Sequence, residues 1–215
     1  MGIFLRSFVA ATLEPFLPIA CARCGEIGAS PCATCRDLLV PAPACAPIDG
    51  LDRVHGLVAY DEISRPFVAD IKFRGRWASA RAFAPALSMM LDELVGRDRP
   101  GPILTWAPTT TQRARRRGFD QAEVLARMVA GVGQRRVRAM LARRSTVHQT
   151  GRSRLERTTG VAFSALVEVA GPVVVVDDVH TTGVTLGAAA RALRGAGATS
   201  VIGLALAVTP GPRQI

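Results

Sequence analysis

The chain has 215 residues, 49% of them apolar, and no run of 18 or more apolar residues, so no helix is expected to span a membrane. That length suits one well-buried domain with a small appendage. Formal net charge is +10, all of it within Arg113–Arg157, where thirteen arginines face three acids (13 − 3 = +10) and leave a neutral remainder. A basic block of this kind favours phosphate-rich partners.

The first twenty residues are apolar, but Glu14, Pro15 and Pro18 interrupt them and Arg6 is the only early cation. They make a poor export signal, and the protein is expected in the cytoplasm. Cys21-x-x-Cys24, seven residues, then Cys32-x-x-Cys35 follow. Two such knuckles converge on one tetrahedral Zn²⁺; the alternatives are two disulfides or thiols that merely pack. A reducing compartment disfavours disulfides. A site with four thiolates leaves no open position, so the zinc would be structural. Cys45 is left over, a small packed residue. Pro41, Pro43 and Pro47 read as a linker, which predicts a zinc-ribbon-like module over 1–50 and a main domain over 51–215.

In the main domain, alternation predicts a strand over Val54–Tyr60, then helices over Ser64–Phe73 and Ala78–Val95. Ile103–Ala107 suits a buried strand stopped by Pro108. The arginine-rich segment Pro108–Gln121 reads as a loop, and Gln121–Val132 as a helix. Val137–Ala142 is expected as the next strand, Val173–Val176 as a strand buried on both faces, and Ser200–Val208 as the last. Strands alternating with helices predict an α/β fold with a mainly parallel sheet flanked by helices.

Val173–Val176 leads into Asp177-Asp178-Val179-His180-Thr181-Thr182-Gly183-Val184-Thr185 and then a helical run, Leu186–Arg194. A glycine-containing bend of hydroxyl residues at a helix N-terminus collects backbone N–H groups around an anion. The carboxylates of Asp177 and Asp178 cannot hold that anion, but they accept hydrogen bonds from sugar hydroxyls beside it. The combination points to a ribose 5-phosphate; the bland alternative is an ordinary capped helix after an ordinary strand.

The segment resembles the signature with which type I phosphoribosyltransferases bind 5-phosphoribosyl 1-diphosphate (PRPP). That resemblance implies Asp177 and Asp178 as the catalytic pair on the ribose hydroxyls, and Thr181, Thr182, Gly183, Val184 and Thr185 around the 5′-phosphate. It also implies that the segment after an earlier strand, with Thr109, Thr110, Arg113 and Arg115, holds the diphosphate together with Lys72. Arg116-Arg117-Gly118-Phe119-Asp120-Gln121-Ala122-Glu123, Ile71-Lys72-Phe73-Arg74-Gly75 and the cysteine knuckle occur in an order that is similar to the ComF competence family. Gln149-Thr150-Gly151-Arg152-Ser153 through Arg157 resembles a further element of that family, expected as a flap. Arg152 stands there where the family has leucine, and the asparagine that the family carries after Arg157 is missing.

The resemblance implies PRPP and Mg²⁺ as ligands, structural Zn²⁺, pentosyl transfer to an acceptor that the residues do not identify, and a link to DNA uptake. A non-catalytic competence factor, binding single-stranded DNA through the arginines, is the alternative. Two tryptophans and one tyrosine offer few stacking platforms for such a strand.

Overall fold

The computed structural model describes residues 18–74, 77–97, 101–144 and 161–211. Most of the expected flap, at 148–163, lies outside the described residues. Four strands form one parallel sheet: β1 (Arg53–Ala59), β2 (Ile103–Trp106), β5 (Gly171–His180) and β6 (Ala198–Val208), in the order β1-β6-β5-β2. Two short strands, β3 (Leu141–Arg143) and β4 (Phe163–Ala165), pair antiparallel outside it. The described helices are α1 (Ala33–Asp37), α2 (Arg65–Ala69), α3 (Ala78–Val95), α4 (Thr111–Arg117), α5 (Gln121–Val132) and α6 (Val184–Gly195), with a wider π turn at Asp70–Arg74.

Parallel strands need crossover connections, and helices on both faces bury the sheet twice. The valine run shows this directly. Val174 and Val176 point into a core with Phe67, Ile71, Leu87, Leu125 and Leu204, on the side of α2, α3 and α5. Val173 and Val175 point the other way, into a core with Leu186, Leu193, Val201 and Met140, on the side of α6. All four valines are at most 1% exposed, and each buried valine contributes about 1.5–3 kcal/mol of transfer free energy. Asp52 ties the start of β1 to the start of β6 and the end of α6: its carboxylate accepts from Ser200 Oγ (2.6 Å) and Val201 N (2.8 Å) and pairs with Arg194.

The cysteine module is continuous with this body. Cys21, Cys32 and Cys35 are buried in the same core as Phe67, Val68 and Ile71. A polar chain crosses the contact: Ala22 N donates to Ser30 Oγ (3.0 Å), Ser30 and Ser79 hydroxyls meet at 2.9 Å, and Ser79 Oγ donates to buried Asp70 (3.3 Å).

Three elements differ from the sequence expectation. The helix expected over Ser64–Phe73 is five α-helical residues followed by the π turn. The expected loop Pro108–Gln121 contains α4, because Thr110 Oγ1 accepts from Arg113 N (3.2 Å) at one end and Gly118, at φ 85°, ends the helix at the other. Of the strand expected over Val137–Ala142, Val137 makes only an isolated parallel bridge to Leu104, and the regular part pairs with β4 instead. The arginines flanking Val137 suit an edge rung, not a strand buried on both faces.

Candidate functional site at the carboxyl edge of the sheet

Because β2 and β5 run parallel in register, Ile103↔Val173 through Trp106↔Val176, the carboxyl end of β2 lies beside Val176 of β5. Ala107 N donates to Val176 O at 3.1 Å, so the chain from Pro108 leaves the sheet next to Asp177. The strand does not stop at Val176 as expected. It carries Asp177 and Asp178 within its ladder, in register with Ala205 of β6 at Asp177, and ends at His180. The carboxylates are therefore held by strand backbone and are only 9% and 5% exposed.

Asp178 N donates to Asp177 Oδ1 (2.8 Å), which fixes one carboxylate against the next backbone unit. Burial, and then the neighbouring Asp178 charge, push the Asp177 carboxyl well above the usual carboxylate range. The compensating cation comes from the π turn: Lys72 Nζ lies 3.3 Å from Asp178 Oδ2. That oxygen has no hydrogen bond of good geometry in addition to the ion pair.

Two further cations, not foreseen from the sequence, face the same place. Arg117, at the end of α4, is partly desolvated; its burial lowers its pKa while the negative charge of Asp178 opposes that shift. Arg143 on β3 donates to Pro108 O (3.3 Å) and sits where burial and Arg113 lower its pKa against the charge of Asp177. Arg117 stood in the run Arg116–Glu123 but was given no role in the site there. Nothing in the sequence marked Arg143, since only the β3–β4 pairing brings it to the edge.

The remaining expected residues divide. Thr181, Thr182 and Val184 are exposed, Thr185 is half-buried, and Gly183 is buried at φ 78° as the residue before α6. Gly187 N donates back to Gly183 O (2.8 Å), and no side chain caps the helix, so the amides of its first turn lack helical partners. Thr109 N donates to Asp120 Oδ2 (2.7 Å), and Asp120 also caps α5 through Ala122 N and Glu123 N. Thr110 is committed as the α4 cap. Arg113 and Arg115 are exposed; Arg113 lies within electrostatic range of Arg117 and Arg143, whereas no recorded contact joins Arg115 to the acidic pair.

At the knuckle, Cys21, Cys24, Cys32 and Cys35 bring their Sγ atoms within 4.8 Å of one another. The Cys24–Cys32 separation of 3.6 Å is far too long for a disulfide, and all the cysteines are free. A tetrahedron with Zn–S bonds of about 2.3 Å has S–S edges of about 3.8 Å, so the four sulfurs fit Zn²⁺. Burial opposes ionisation of Cys21, but N–H donation from Cys24, Cys32 and Arg23 brings it down to about 6.

A parallel sheet covered by helices on both faces defines an α/β protein, and the edge where β2 ends beside β5 is its candidate site. No family model and no curated protein matches the sequence. Among solved structures, the chain is similar to a hypoxanthine-guanine phosphoribosyltransferase from Bacillus anthracis, at 17% identity and a TM-score of 0.43, over 63% of this chain and 72% of that one. It is also similar to glutamine PRPP amidotransferase from B. subtilis in complex with ADP and GMP (22% identity, TM-score 0.42) and to an allosteric regulatory enzyme of purine biosynthesis (21%, 0.40). The chain spans 30% of the length of each of these last two.

Proposed function

We propose that the protein binds PRPP with Mg²⁺ at this edge and transfers the phosphoribosyl group to an acceptor. The observation that carries the reading is the buried pair Asp177–Asp178, closed by Lys72 at 3.3 Å and followed by an uncapped, glycine-led helix start. The amides of α6 and the hydroxyls of Thr181, Thr182 and Thr185 suit the 5′-phosphate. Asp177 and Asp178 accept from the ribose hydroxyls and face the positive charge that develops on the ring. Lys72, Arg113, Arg117 and Arg143 supply positive potential for the leaving diphosphate, Arg117 and Arg143 from desolvated positions where each charge acts more strongly. In the step itself the C1–O bond breaks with its electron pair leaving on diphosphate. The acceptor's lone pair forms the new bond to C1, and any proton it carried passes to solvent.

An all-oxygen donor set of carboxylates beside phosphate suits Mg²⁺, with the ligand and water supplying most of the coordination. When bound, the ion neutralises charge on the diphosphate. The order of motifs shared with the ComF family supports a cytoplasmic role in DNA uptake, with the zinc knuckle as a structural module. A second reading, a DNA-binding competence factor without catalysis, is favoured by the exposure of Arg113, Arg115 and Arg116 along α4. DNA affinity that falls steeply with salt and survives saturating PRPP would support it.

Calorimetric titration of the zinc-loaded protein with PRPP and Mg²⁺ tests the first reading, followed by diphosphate release against a panel of acceptors. Asp178→Asn is expected to abolish PRPP binding with an unchanged far-ultraviolet spectrum. Wild-type affinity in that variant would overturn the assignment, and binding without release would reduce the enzyme to a PRPP-responsive protein.

A further inference from the structure

The π turn does two things at once. Its third residue, Lys72, reaches inward to Asp178, and its fourth, Phe73, stands outward, 61% exposed. One exposed phenylalanine is ordinary by itself. This one is the sole aromatic among the exposed large apolar side chains of the described residues, and it is not alone in space. The Arg117 guanidinium carbon lies 4.7 Å from the ring centroid, in cation–π range. Arg117 Nη1 donates to Gln121 Oε1 (2.7 Å), and Gln121 is itself 8% exposed, so the guanidinium is held at one end by a buried partner. Lys72, the residue before Phe73, pairs with Asp178 at 3.3 Å, so Phe73 leaves the chain one residue from the cation that meets the acidic pair.

A π turn inserts one residue into a helix and is frequent at functional sites. Here the wider turn lets adjacent residues serve opposite sides: a cation for the buried carboxylate and an aromatic face for solvent. We infer that Phe73, backed by Arg117, is a stacking platform for a planar heteroaromatic ring brought to the edge of the sheet. This rests on the phosphoribosyl reading for its chemical meaning, where the ring is the acceptor, and narrows the acceptor class to flat heterocycles. The same chemistry belongs to a free base and to a base of a single strand, so the test separates them.

Wild-type protein, Phe73→Leu and Phe73→Trp are compared by equilibrium dialysis against single purine and pyrimidine bases and against an oligo-dT strand. Each is measured with and without PRPP and Mg²⁺. Phe73→Leu keeps apolar bulk but removes the π face; it is expected to weaken binding roughly 5- to 150-fold, the range that stacking of about 1–3 kcal/mol per base implies. Phe73→Trp should retain the ligand, and PRPP affinity should be unchanged in both variants. A loss confined to free bases identifies the acceptor platform; a loss confined to oligo-dT identifies a strand contact. The inference is overturned if Phe73→Leu matches wild type for every probe, or if wild type binds none of them. Absence of PRPP binding together with Phe73-dependent base binding would sink the transferase reading alone.

Discussion

Gly183→Ala tests the turn that joins the acidic strand to α6. Gly183 has φ 78°, and a Cβ built on it lies 2.5 Å from Ile48 Cδ1, 2.9 Å from Ile48 Cγ1 and 3.3 Å from His180 Cε1. Two costs follow. A left-handed backbone costs an alanine about 1–2 kcal/mol. The contact with Ile48 is with the far end of a half-buried side chain, so it is relieved by driving Ile48 off its rotamer at about 0.5–1.5 kcal/mol. Together these come to about 1.5–3.5 kcal/mol, or roughly 3–14 °C in melting temperature for a domain of this size. Urea unfolding of the wild type, both single variants and Gly183→Ala with Ile48→Ala separates the costs. Removing Ile48 should recover the rotamer part and leave the backbone part. A Gly183→Ala variant within about 0.5 kcal/mol of wild type, a span typical of harmless surface changes, would refute the strained turn. Zero coupling with Ile48 would refute the packing.

Asp177→Asn keeps an oxygen for Asp178 N and removes a buried carboxyl whose pKa is raised in the folded state. Below about pH 3.9 the carboxyl is protonated in both folded and unfolded wild type, so its titration separates the two proteins least there. As pH rises, the unfolded chain ionises first and wild type loses stability through the folded pKa. The asparagine protein should therefore melt progressively higher than wild type toward neutral pH, and a gap independent of pH would contradict the buried, charge-coupled setting of Asp177. For the knuckle, reduced protein should carry one zinc per chain. Chelation or Cys35→Ser should cost several kcal/mol, roughly 10 °C or more in melting temperature, because the thiols form part of the core that holds Phe67 and Ile71. Zinc-free protein with an unchanged melting curve would show that the four sulfurs only pack.

Much of the fold was legible because its signals are local. Four consecutive β-branched residues suit a strand buried on both faces, as β5 is, and Ala78–Val95 and Gln121–Val132 were marked by periodicity and match α3 and α5 residue for residue. The spacing of the cysteines and the acid–threonine–glycine run needed nothing beyond their own neighbourhoods. Elsewhere the local signal competed with something distant. The π turn is invisible in a periodic pattern of ten residues, although it gives Lys72 and Phe73 their opposite directions. The two-turn α4 was hidden because its arginines read as a solvated loop until Thr110 and Gly118 are seen as its ends.

The sequence by itself determined the strand–helix alternation, the spacing of the four clustered cysteines and the order of charged and hydroxyl residues along the chain, since each depends on near neighbours and side-chain chemistry. Only the tertiary structure decided which cations meet the carboxylates. Lys72 and Asp178 lie far apart along the chain, and Arg143 reaches Pro108 only through an antiparallel pair outside the main sheet. Their meeting depends on parallel register and packed helices, which are set by the burial of the whole core and by no single segment.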